Sequence, residues 1–144
     1  MKPSDWTLLV IAAGRAPLQP VQLQKALFLL GRNLPLKVLR TDTFYDFYAY
    51  DYGPFSTAVY SDAEWLATEG LVAISQPPEA RFKRFQATEK GTARADELRR
   101  EIGESTRSYL DRVVAWVQSI SFNDLVSAIY AKYPDMRANS VFQE

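Results

Sequence analysis

Leu71-Val-Ala-Ile-Ser75, Gln76-Pro77-Pro78-Glu79-Ala80 and Arg81-Phe-Lys-Arg-Phe-Gln-Ala87 follow one another without a break. Two short β-like runs flank a tip that two prolines bar from regular structure, which is the pattern of a hairpin with an extended loop. Thr88-Glu89-Lys90-Gly91 comes next, with Thr88 as the N-cap of a following helix. A β-wing over 71–75 and 81–87 that feeds a helix points to a winged helix-turn-helix-like core.

Outward from the wing, the remaining pattern is helical. Trp6, Leu9, Val10 and Ala13 recur at helical spacing after a Ser4 cap, and Gly14 stops them. Pro20 suits the first turn of a second helix, whose Leu23, Leu27 and Leu30 form a stripe while Gln22, Gln24, Lys25 and Arg32 make its polar face; Gly31, Asn33 and Pro35 end it. Phe44 to Tyr52, an aromatic-rich run, predicts a strand closed by a Gly53-Pro54 turn. Ser56 or Thr57 caps a third helix reaching about Glu69, with Val59, Ala63, Leu66 and Ala67 inward. The fourth helix turns Ala95, Leu98 and Ile102 to one side, and Gly103 interrupts it. Leu110, Val113, Val114 and Val117 mark a fifth, and Ser121-Phe-Asn-Asp124 opens a sixth through Leu125, Val126 and Ile129 that Pro134 closes. Tyr130 and Tyr133 lie on one side of that helix, so the tail from Asp135, with Asn139, Ser140, Val141 and Phe142, is expected to fold back onto the body. The expectation is mainly α (α+β), with additional C-terminal helices, in one domain spanning 1–144.

Composition narrows the chemistry. The 144 residues contain no Cys and no His, which excludes thiolate nucleophiles, Cys–His zinc sites, Ser–His–Asp triads and imidazole bases. Neither G-x-G-x-x-G nor G-K-[S/T] occurs. Asp42, Asp46 and Asp51 are close in sequence, but no flanking motif supports acid–base or Mg²⁺ chemistry there. We expect no enzyme activity, no catalytic residue, no metal and no cofactor. The apolar run Leu8 to Ala13 is far short of the roughly 20 residues of a membrane span, and no basic segment precedes it, so a cytoplasmic protein with no membrane partner is expected.

Charge is balanced at 17 basic against 17 acidic residues. Residues 81–100 nevertheless hold seven Lys/Arg against three acids, a local +4, while the rest holds ten against fourteen. Arg81, Lys83, Arg84, Lys90 and Arg94 are therefore the candidate nucleic-acid contacts, beside the plainer reading of a solvated charged face. The third helix offers Asp62, Glu64 and Glu69 and no Lys or Arg, which opposes its entry into a DNA groove. Tyr45, Tyr48, Tyr50 and Tyr52 are too many hydroxyl-bearing rings for one core face, so part of this run is expected on a partner surface.

Leu23-Gln24-Lys25 with Leu27-Phe28-Leu29, then Tyr50-Asp-Tyr-Gly-Pro-Phe-Ser56, and late Tyr130-Ala-Lys-Tyr133-Pro134 with Asn139-Ser140, resemble in order and spacing the Panacea (SocA-like) family. The resemblance covers most of the chain. It implies an antitoxin of a toxin–antitoxin pair or an adaptor that hands a toxin to a protease, hence a protein partner such as a toxin or a protease. The leading expectation is a protein-interaction module that binds through Gln22 and Lys25, on the exposed side of the second helix, and through Tyr48, Tyr50, Tyr52 and Phe55. The alternative is a winged-helix DNA-binding regulator that contacts phosphates through its basic wing.

Overall fold

The computed structural model describes residues 1–143. The protein is mainly helical: α1 (Pro3–Ala13), α2 (Pro20–Asn33), α3 (Leu36–Leu39), β1 (Tyr48–Tyr50), β2 (Gly53–Phe55), α4 (Thr57–Thr68), β3 (Val72–Ser75), β4 (Arg84–Ala87), α5 (Glu89–Arg100), α6 (Glu104–Ser119) and α7 (Phe122–Lys132), followed by a 3₁₀ turn at Pro134–Arg137. The strands form two separate antiparallel hairpins.

Helix α1 is the centre of the molecule and touches α2, α4, α5 and α6. Trp6, Leu8, Leu9, Val10 and Ile11 are all buried, so the helix is covered on every side instead of along one stripe. Its cap is Asp5, whose carboxylate accepts the Lys2 N–H at 2.9 Å. Ser4, expected as the cap, lies inside the helix and is buried. One hydrophobic cluster joins Trp6 to Leu27 and Leu30 of α2, Leu66 of α4, Leu98 of α5, Leu110 and Val117 of α6, and Met136.

Several expected boundaries move for identifiable reasons. Helix α2 runs through Gly31 to Asn33. A Cβ at Gly31 would lie 2.6 Å from Phe44 Cδ2, so this glycine makes room for a ring on the helix surface and does not end the helix. The four-residue α3 has no periodicity to betray it; the Trp6 indole holds its end by donating to Leu39 O at 2.8 Å. The strand expected over 44–52 forms only at Tyr48–Tyr50, because Phe44, Tyr45 and Phe47 pack against the main cluster. Gly53-Pro54, expected as a closing turn, belongs to β2, and the turn itself is Asp51-Tyr52.

The hairpin expected over 71–87 forms as β3–β4, in the register Val72↔Ala87 to Ser75↔Arg84. Leu18, in the α1–α2 connection, bridges the other edge of β4 through Phe85 with hydrogen bonds of 2.8 and 2.9 Å. Strand β4 begins at Arg84, so Arg81 and Lys83 sit in the loop and not on the expected strand. Thr88 caps α5 as expected: its hydroxyl accepts from Gly91 N at 3.0 Å and donates to Gly70 O at 2.6 Å. A Cβ at Gly91 would lie 1.8 Å from Leu71 O, so α5 leaves the wing at a distance that only glycine permits.

Ser121 caps α7 by accepting from Asp124 N at 3.1 Å. The tail folds back onto the body, as expected. Val141 N–H donates to Asp51 O at 2.9 Å, and the Phe142 ring meets Phe122 and Tyr130. The Val141 side chain remains exposed, so the docked end is held by its hydrogen bonds and by Phe142. Among the described residues no helix is long and apolar enough to cross a membrane.

Candidate functional site

The β1–β2 hairpin is too short to stand alone, since two three-residue strands bury almost nothing by themselves. Side chains from distant parts of the chain hold it instead. Gln24 clamps its exit: Nε2 donates to Ser56 O at 2.9 Å, and Oε1 accepts from Ser56 N at 3.0 Å. The neighbouring Lys25 Nζ donates to Pro54 O at 3.2 Å. From the other side Asn139 Nδ2 donates to Ala49 O at 3.1 Å, and Ser140 Oγ accepts from the Tyr130 hydroxyl at 2.7 Å while reaching Asp51 O at 3.4 Å. Gly53 completes the packing at φ +102°, where a Cβ would lie 3.3 Å from Tyr130 Cε1 and 3.7 Å from Lys25 Cε. Both the backbone angle and the space demand glycine.

Gln24 and Lys25, the segment 50–56, Tyr130 and residues 139–140 thus meet at one place. Beside it lies a groove of about 690 Å³, lined by α2, the hairpin, α4, the wing loop and the start of α7. Its walls are rings. Tyr50 stacks on Phe55 at 5.1 Å, Tyr48 meets both edge-on, Phe55 meets Tyr60, and Tyr52 packs on Phe122 at 5.2 Å. Tyr48, Tyr50, Tyr52 and Phe82 are 46%, 48%, 45% and 51% exposed, a concentration of open aromatic surface that interfaces favour.

Of the polar face expected on the second helix, Arg32 is exposed, but the residues toward the hairpin are not. Gln24 and Lys25 are 1% and 4% exposed, because both turn inward to bond backbone groups of Pro54 and Ser56. Gln22 is half-buried, and its side-chain oxygen caps α2 by accepting from Gln19 N at 2.9 Å. Of the expected partner residues, Lys25, Tyr50, Tyr52 and Phe55 line the groove, Tyr48 flanks it on the ring cluster, and Gln22 belongs to the helix terminus. Burial pulls the Lys25 amine down to about 7 from its ordinary 10.5.

The candidate nucleic-acid residues do not form a single patch. Arg81 and Lys83 lie in the wing loop, while Arg84 faces a separate depression with Arg15 and Gln118. Lys90 Nζ donates to Glu69 O at 2.9 Å, and Arg94 pairs with Glu97 at 2.9 Å. On α4, Asp62 turns inward to accept from the Tyr45 hydroxyl, which also bonds Thr7. Burial first, and then Asp62, push the Tyr45 phenol well above its usual range, so it keeps its proton and remains a donor. Glu64 and Glu69 stay exposed. Among the described residues no group of three acids is placed to hold a metal ion.

Phe82, Tyr60 and Phe122 escaped the sequence reading as parts of this surface. A ring inside the basic wing loop was the available signal for Phe82. Nothing local distinguishes Tyr60 or Phe122, which reach the groove only through the packing of α4 and α7. Searches against protein-family models, curated proteins and solved structures find no match to this chain.

Proposed function

We propose that the chain is a winged-helix-like, non-enzymatic protein-interaction module that receives a protein partner in the groove between α2, the β1–β2 hairpin and the wing. The order α1, Leu18 bridge, α2, α4 and β3–β4 wing supports the winged-helix reading. The observation that carries the function is convergence: Gln24, Lys25, Tyr130, Asn139 and Ser140, from separated segments that resemble the Panacea family, meet around the 50–56 hairpin, whose outer side is a set of exposed rings. On that resemblance the partner is a toxin or a protease, and the chain acts in the cytoplasm as an antitoxin or a proteolysis adaptor. Tyr and Phe give an interface large contact area at low entropic cost.

A photo-crosslinking residue placed at Tyr50, with a control at Glu97 on the far helix, tests this in the native host. A discrete adduct from position 50 alone, identified by mass spectrometry, is expected. Equal labelling at both positions, or none, overturns the reading.

One observation favours a second reading: Arg81, Lys83 and Arg84 form no ion pair among the described residues, which leaves their charges available to phosphates. Duplex DNA binding that falls steeply between about 50 and 200 mM salt is its signature. No shift of duplex DNA at low salt eliminates it.

A further inference from the structure

Lys25 is an ammonium donor in a place that gives it almost nothing to bond. Its Nζ has three N–H groups and one acceptor, Pro54 O at 3.2 Å. No carboxylate pairs with it among the described residues, although it is only 4% exposed. An isolated buried charge is costly, and a methionine would fill a similar volume without that cost. The amine nevertheless lines the groove, whose volume of about 690 Å³ falls in the range of about 300–1,000 Å³ usual for ligand sites. The surrounding walls are aromatic, with Arg81 as a second cation among the lining residues and Asp51 as the single acid.

We infer that the groove binds a carboxylate carried on an apolar body, with the carboxylate paired to Lys25 and the apolar part against Tyr50, Tyr52, Phe55 and Phe82. This deepens the proposed function and rests on its reading of the groove as the binding face. A carboxylate suits the site better than a phosphate, because the groove offers one deep cation, and a dianion loses more hydration on entering aromatic surroundings. Once bound, the acid supplies the counter-charge that Lys25 lacks, and the pair gains the strength of a charge-assisted hydrogen bond. The end of a partner's chain and a free hydrophobic acid present the same chemistry.

Calorimetric titration of the full chain separates these sources and tests the site. The probes are 3-phenylpropionate, its primary amide, and a hexapeptide ending in Leu with either a free carboxylate or a C-terminal amide. Each acid is expected to bind at least tenfold more tightly than its amide, and Lys25→Met is expected to abolish that preference while leaving amide binding in place. If Lys25→Met disturbs the hairpin by circular dichroism, Lys25→Gln takes its place, keeping a donor for Pro54 O without the charge. Preference shown by the peptide assigns the site to a partner's chain terminus. Preference confined to phenylpropionate assigns it to a free acid, and with no adduct at Tyr50 the partner reading fails while the carboxylate site stands. Equal affinity for acid and amide, a preference that survives removal of the charge, or binding by no probe overturns the inference; an adduct at Tyr50 beside that result leaves the partner reading intact.

Discussion

Strands β1 and β2 have three residues each around the Asp51-Tyr52 turn, while β3 and β4 have four each around a loop over 76–83 that carries Pro77 and Pro78. The longer hairpin is held by backbone: its own ladder, the Leu18 bridge on its open edge, and the contact at Gly91 where α5 departs. The shorter one is held by side chains reaching its carbonyls and amides from α2 and from the tail. A ladder with local support tolerates most changes of side chain. A hairpin tied by side chains depends on a few identities far away in sequence, and those same identities give its surroundings their chemistry.

Three substitutions sharpen that contrast. The largest effect is expected at the wing, where Gly91→Ala puts a methyl into Leu71 O and forces the α5 junction apart; a loss of about 3 kcal/mol or more in urea unfolding is expected. A loss below about 1 kcal/mol means that the junction yields easily. Next is Gln24→Ala, which leaves the Ser56 N–H buried without a partner while Ser56 O keeps the Val59 N–H, at about 2 kcal/mol. Amide exchange should then quicken at Ser56 and along β2 while β3 and β4 keep their protection. Uniform loss of protection would show that the two hairpins are not independent.

The smallest effect, and one of opposite sign, is expected from Lys25→Met. The folded protein holds this amine near 7 and the unfolded chain near 10.5. Between those values the unfolded state binds more protons, so wild-type stability rises with pH. The variant removes the cost of burying that charge but leaves Pro54 O without its donor, so a net gain of about 1 kcal/mol is expected at or below pH 7, and it should close on the alkaline side by at most about 1.4 kcal/mol per pH unit. Unfolding curves at pH 6, 7, 8 and 9 measure it. A constant difference would mean that Lys25 keeps its charge throughout.

The same contrast explains what the sequence could disclose. The wing was legible because its signals are local: apolar runs, a Pro-Pro tip, and Thr88 followed three residues later by Gly91. Most helices were legible from their stripes and caps. The β1–β2 hairpin was not, because Gly53-Pro54-Phe55 lacks strand propensity, and the bonds that pin it come from about 30 residues earlier and 90 residues later in the chain. Polar residues on an amphipathic helix read as solvent-facing, which is why Gln24 and Lys25 were placed outside. Only the unpaired backbone of the hairpin, invisible in the sequence, draws them in. Tyr48, Tyr50, Tyr52 and Phe55 were identifiable because too many rings crowd one short run; Phe82 and Phe122 required the packing of other elements.

The return of the tail to the hairpin also has a bearing on synthesis. Asn139 and Ser140 bond to Ala49 and Asp51 across separations of 90 and 89 residues. A ribosome adding about 5–20 residues per second needs roughly 4–17 s to go from residue 55 to residue 141. During that interval α1, α2, α4 and the wing can assemble while the hairpin waits for its last fastenings. A nascent or prematurely ended chain can thus acquire most of the helical body and still hold an unfastened hairpin until residues 139–141 have emerged.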